Sequence, residues 1–244
     1  MPFKILLGIL IIFITCKGND TKKISPKGVN GVLDLRSVEV RDRTYLQPWD
    51  FEKDGVIQLD GEWEFYWKEF VPPNSHLMQN EEFRMKDGEN SAFLIPHSAF
   101  ITVPGSWNQF IQNEKAVGGQ GYGTYRLRVF LPPNVFSTND KPFSLGIKLL
   151  SVGTAYKLYV NGNFVTEVGK IGKTKEESIP AFLSQVISIQ PDKQEIELKV
   201  IVSNFHYSRG GLWSSIRIGS LSELQKEREK NLLLDFFIFC NYCQ

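Results

Sequence analysis

In the segment GEWEFYW, Trp63, Phe65 and Trp67 alternate with Glu62, Glu64 and Tyr66. One face is aromatic and the other polar, which is the period-two pattern of a half-buried strand. The pattern recurs along the chain. Leu33 and Leu35 alternate with Asp34 and Arg36, and Tyr125, Leu127, Val129 and Leu131 oppose Arg126 and Arg128. Phe143, Leu145, Ile147 and Leu149 repeat the alternation, as do Ile196, Leu198, Val200 and Val202 against Glu195, Glu197 and Lys199. Within AYKLYVNGNFVTEVG, Asn161-Gly162 separates two strand-like runs. Both central residues of a type I′ turn need positive φ, which Asn-Gly adopts at little steric cost, so a tight hairpin is predicted there. SSIRIG completes the series. About nine short strands without an amphipathic helix among them predict an all-β, antiparallel sandwich or jelly roll. Most of its acidic residues fall on solvent faces of strands or in charged loops. Residues 74–98 are the least regular stretch and read as a long insertion or loop.

The two ends break this texture. Lys4 precedes the apolar run Ile5–Ile14, which is too short to span a bilayer and reads as an export signal. Thr15-Cys16 closes that run as in a loose bacterial lipobox, making Cys16 the candidate acylation site; an ordinary signal peptide or an uncleaved anchor are the other readings. Residues 17–30 are polar and basic and carry Gly and Pro, as a flexible tether does. After Gly219, SLSELQKEREKN offers Ser222 as an N-cap and predicts a solvated connector helix. Then Leu232–Phe239 turns apolar over a length well short of the roughly 20 residues of a membrane span.

Charge and cysteine content narrow the classes. A formal net charge of +1 gives no global field for nucleic acid or for an anionic membrane surface. Cysteine occurs only at positions 16, 240 and 243, so the exported domain is held by core packing rather than disulfides. Cys240 and Cys243 form a C-x-x-C without the βαβ context of a redox motif or the second pair of a zinc site.

GGQGYGTY, residues 118–125, runs into a strand rather than a helix N-terminus, and no Gly-Lys-Ser/Thr follows. That argues against a phosphate cradle. The glycines read as a tight loop at a sheet edge, with Tyr122 either packed or offered to a ligand. No Gly-x-Ser-x-Gly elbow is present, and His76, His97 and His206 lie far apart, so no enzymatic activity is expected. VSNFHYSRGGLW places Asn204, His206 and Arg209 in one loop, followed by Trp213. An aromatic face with Arg and Asn suits a sugar ring. The other reading has Trp213 plugging the core and Arg209 paired with an acid.

LDGEWEFYW, VPGSWNQF, GYGTYRLRVFLP, AYKLYVNGNFVTEVGKIG and VSNFHYSRGGLW occur in an order that resembles the extracellular domain of bacterial seven-transmembrane receptors with diverse intracellular signalling modules. The resemblance covers roughly residues 46–221. The same stretches are similar to the sugar-binding jelly roll of family 2 glycoside hydrolases. Both resemblances imply an antiparallel jelly-roll sandwich of the galactose-binding-like type, to which the residues themselves add an N-terminal signal segment and a short C-terminal helix. The expected organisation is a signal peptide of lipoprotein type over 1–16, a tether and first strand over 17–45, the sandwich over 46–221, and a connector helix with a truncated transmembrane stump over 222–244.

By the receptor resemblance, the chain is an extracytoplasmic ligand-sensing domain cut short before its membrane spans. The alternatives are a stand-alone exported carbohydrate-binding lipoprotein, a surface lipoprotein that binds a host or envelope protein, and a non-catalytic fragment of a family 2 glycoside hydrolase. The expected partners are a small-molecule or carbohydrate ligand and the membrane, reached through a lipid anchor or the C-terminal stump; nucleic acid is not expected. The expected location is the periplasm or cell surface, in association with a membrane. The candidate ligand contacts are Trp107, Tyr122, Asn204, His206, Arg209 and Trp213. No cofactor is implied, although structural calcium is common in the fold group.

Overall fold

The computed structural model describes residues 23–41, 45–73, 99–136, 143–150 and 152–242, the last without the side chains of 232–242. The signal segment, Cys16, residues 17–22 of the tether, the 74–98 insertion and Cys243 lie outside the described residues, whereas residues 23–30 are not a free tether but are bonded to the sandwich, with Gly28 N donating to Asp60 O at 2.7 Å. The strands run β1 (Val32–Asp34), β2 (Val38–Glu39), β3 (Leu46–Gln47), β4 (Ile57–Gln58), β5 (Gly61–Trp67), β6 (Ala99–Val103), β7 (Ile111–Gln112) and β8 (Lys115–Ala116). There follow β9 (Gly121–Phe130), β10 (Leu145–Leu149), β11 (Ala155–Val160), β12 (Asn163–Val168), β13 (Gln185–Ile189), β14 (Glu195–Asn204) and β15 (Arg217–Ser220). Helix α1 (Leu221–Tyr242) closes the series.

The larger sheet has the order β12-β11-β14-β9-β5-β6, with β1 pairing in parallel along the second half of β9. A four-stranded sheet, β13-β10-β15-β4, faces it. All pairings in the two sheets apart from β1 with β9 are antiparallel, and the chain forms the expected β-sandwich. Tyr125, Leu127 and Val129 of β9 and Ile196, Leu198, Val200 and Val202 of β14 are fully buried, as their alternation predicts. At the β11–β12 turn Asn161 and Gly162 have φ of 49° and 78°, so the hairpin forms as read.

Two readings are corrected. The glycine-rich stretch does not lie at a sheet edge: it opens β9, which has β14 on one side and β5 and β1 on the other. Its glycines leave room for rings, since a Cβ on Gly121 would stand 2.3 Å from the Trp67 indole and one on Gly123 2.8 Å from Phe65. The polar face of the larger sheet is also not a solvent face at its centre. Arg126 is buried there, with its Nη1 donating to both oxygens of Glu64 at 2.8 and 3.1 Å and its Nε to Glu197 at 2.6 Å. Lys199 Nζ lies 3.1 Å from Glu197 and donates to the carbonyls of Pro72 and Pro73, which cross this face.

Helix α1 starts at Leu221, so Ser222 falls inside its first turn rather than before it. The helix is not simply solvated. Leu224 is fully buried on the outer face of the smaller sheet, where Gly146 leaves space for it: a Cβ there would lie 3.0 Å from the Leu224 side chain. One turn later Glu227 accepts from Arg217 at 2.5 Å and lies 3.5 Å from Lys148. Burial alone would raise the Glu227 carboxyl, but the Arg217 hydrogen bond and charge, with Lys148, hold it below the ordinary carboxylate range.

A carboxyl lowered in the folded state contributes stability above its unfolded pKa, and that contribution disappears as pH falls. Acidification below the ordinary glutamate value of 4.5 should therefore loosen α1 from the sheet. With Glu227 a third exposed, the effect is at most about 1 kcal/mol. The protection of α1 amides against hydrogen exchange, taken relative to the intrinsic rate at each pH, should fall at acid pH in the parent chain and be lower already at neutral pH in Glu227→Gln. Unchanged exchange in that variant would show that the clamp does not hold the helix.

Candidate functional site

The strand ends fix where the connecting loops gather. The first residue of β9, the last of β14 and the first of β11 share one end of the larger sheet, since Gly121 pairs with Asn204 and Ala155 with Ser203. Loops 152–154, 169–184 and 205–216 therefore meet at one end of the sandwich, and loop 104–120, which leaves β6 at Val103 further along the sheet, is brought to them by Gly105 N donating to Leu212 O and Trp107 N to Gly210 O.

Asn204 ties them together. Its Nδ2 donates to the carbonyls of Gly119 (2.7 Å), Tyr207 (2.8 Å) and Arg209 (3.1 Å). Its Oδ1 accepts from the Tyr207 amide at 3.1 Å and the Thr154 hydroxyl at 3.2 Å. Asn108, which the sequence reading did not single out, does similar work by donating to Ser208 O at 2.7 Å and accepting from the Gly210 amide at 3.1 Å. Trp107 lies beneath, with no exposed surface. Its indole stacks on Phe65 and Tyr125, meets Trp67 edge-on, and donates to Gly119 O at 3.0 Å. Trp107 and Asn204 are thus scaffold, because each is fully buried with its polar group already engaged within the chain; the expectation that they touch a ligand is corrected.

Above this base, Tyr207 is half exposed and its ring meets Trp213 edge-on at 5.6 Å. The Arg209 guanidinium stands over the Trp213 ring, 6.0 Å from its centroid, close enough for a weak cation–π attraction. Trp213 is partly buried, its indole lying where a Cβ on Gly153 would be, 2.0 Å away. His206 is exposed, with Nε2 3.0 Å from the carbonyl of Ser178. The structure thus gathers His206, Tyr207, Arg209 and Trp213. It places Tyr122 apart from the Tyr207–Trp213 pair, on the outer face of the larger sheet, where its ring meets Phe70 at 4.8 Å and Lys173 stands over Phe70. Tyr207 was missed in the sequence reading although it sits between two residues that were singled out; its exposure depends on the turn that Asn204 imposes.

Charges around the cluster are mixed. Glu69 is raised by burial, partly offset by Lys173. Glu176 is held below the ordinary range by its own backbone amide and the Thr174 hydroxyl, with smaller help from Lys175 and His206. Beneath the loops, burial pushes the Tyr156 hydroxyl up to about 12. Among the described residues no group of three or more His, Cys, Asp or Glu side chains is placed to hold a metal ion.

No family profile matches this chain, and no curated protein matches it. Solved structures do. The β-glucuronidase from Ruminococcus gnavus in complex with D-glucuronic acid matches with a TM-score of 0.44 and 18% identity, over 67% of this chain and 29% of that one. The apo enzyme gives 0.44 and 17% identity over 67% and 28%. The chain thus spans less than a third of the length of these enzymes.

Proposed function

We propose that this chain is a non-catalytic, extracytoplasmic ligand-binding domain that works in association with a membrane, and that its ligand is a carbohydrate. The observation that carries the reading is the exposed Tyr207 meeting the partly buried Trp213, with Arg209 beside them, mounted on loops pinned by Asn204, Asn108 and Trp107. Aromatic rings offer an apolar face to sugar C–H groups, and a guanidinium supplies fixed donors to hydroxyl or carboxylate oxygens. A rigid scaffold lowers the ordering cost of binding. The receptor resemblance supports a sensing role, in which ligand binding would bias the position of α1.

The full chain applied to an array of mono- and oligosaccharides should retain at least one sugar class. Tyr207→Ala and Arg209→Ala should each weaken that binding by about tenfold or more while leaving the fold intact. An array on which the parent chain retains nothing would overturn the carbohydrate reading.

A further inference from the structure

The direction of α1 relative to the loop end has a consequence for how the domain meets a membrane. Leu221 and Leu224 lie over Gly146 near the start of β10, whereas Glu227 reaches Lys148 and Arg217 further along. The helix therefore runs towards the end of β10 at Leu149, which is the end where the loops gather. From Glu227 the helix continues to Tyr242, about 22 Å at helical rise, while Leu150 lies only about 7 Å beyond Lys148 at strand rise. So the half of α1 that includes the run Leu232–Phe239 extends past the loop end of the sandwich.

The surface at that end is apolar where a soluble loop would be polar. Ile179, Phe182 and Leu183 are each more than half exposed, and Leu150, next to β13 through the Leu149–Gln185 pairing, is 38% exposed. Exposed Lys170, Lys173, Lys175 and Arg209 lie in the same loops, against Glu176 and Glu177. Large apolar side chains beside cations and partly exposed Tyr207 and Trp213 suit the interface of a bilayer, where aromatic and basic side chains anchor.

We infer that the loop end is the membrane-facing end of the domain, and that Leu150, Ile179, Phe182 and Leu183 enter the headgroup layer of a lipid bilayer. The ligand cluster then lies against the membrane surface, and the outer end of the domain is the one bearing Val29 and the β1–β9 pairing. This rests on the membrane association proposed above. It also competes with a Cys16 anchor. Cys16 is seven residues from Lys23, a reach of at most about 25 Å. Lys23 pairs with Asp54 near the start of α1, at the opposite end of a sandwich whose ten-residue strands are about 33 Å long.

The test uses the full chain with vesicles of phosphatidylethanolamine and phosphatidylglycerol, with and without bromine on the acyl chains. Phe182→Trp and Val29→Trp report the two ends, since both positions are exposed. The inference predicts that the added emission of Phe182→Trp loses about half its intensity to bromine, as for a ring about 5–10 Å deep, and that Val29→Trp loses none. Phe182→Asp with Leu183→Asp should also lower vesicle co-sedimentation. Quenching of Val29→Trp alone would overturn the orientation and leave membrane association standing, with the Cys16 end inward. A parent chain that does not sediment with vesicles would overturn both.

Discussion

Arg126→Met should destabilise the domain by about 3–5 kcal/mol, the range for breaking a buried ion pair by removing one partner. The guanidinium joins Glu64 on β5 to Glu197 on β14 across the central strand, and the Tyr66 hydroxyl donates to the same Glu64 at 2.7 Å. Burial opposes the Arg126 charge, yet the hydrogen bonds and charge of Glu64 and Glu197 keep it firmly protonated. Without it, the buried Glu64 carboxylate loses its cation, and Glu197 keeps Lys199 at 3.1 Å, beneath the segment that carries Pro72 and Pro73. Because a domain of this size has roughly 5–15 kcal/mol in total, urea denaturation should show a large drop in midpoint at neutral pH. Replacing Glu64, Arg126, Glu197 and Lys199 together by apolar residues, with Tyr66→Phe, should recover most of it, since no charge is then left alone. A single variant as stable as the parent would mean that water reaches this face.

The second large effect is at Asn204. Asn204→Asp keeps size and shape but sets a carboxylate against the carbonyl oxygens of Gly119, Tyr207 and Arg209. The expected cost at neutral pH is about 3 kcal/mol or more, from lost donors and a buried, unpaired charge. Its sign with pH is fixed by linkage: a carboxyl that binds its proton more tightly in the folded state costs stability as pH rises above about 4, the ordinary Asp value. Asn204→Leu should also destabilise, but without that pH dependence. Both variants should lose sugar retention together with the order of loop 205–211, whereas Tyr207→Ala should lose retention alone. Thermal melts across pH distinguish the two variants; a flat profile for Asn204→Asp would remove Asn204 from its place as the tie between loops.

Much of the fold was legible in residues 125–131 and 196–202, and in Asn161-Gly162, because side-chain alternation and turn conformation are properties of a few neighbouring residues. Where alternation was read, as in β5, β9, β10 and β14, it also sorted the strand into two faces correctly. It did not say which polar face would be covered: Arg126 and Lys199 read like solvent residues and are buried, because segments remote in sequence cross over them. The candidate site divides in the same way. The stretch from Asn204 to Trp213 announced itself by composition, but the roles within it were set by depth. Asn204 is consumed by the carbonyls of Gly119, Tyr207 and Arg209 and Trp107 by the rings of β5 and β9, which leaves Tyr207 and Arg209 outward. The apolar run at the end of α1 was plain in the sequence, whereas its direction relative to the loops required the docking of Leu224 on Gly146 and Glu227 on Arg217. Local pattern decides what a segment can form. Only contacts between distant segments decide which of its faces is dry, which donors are spent and which way a helix points.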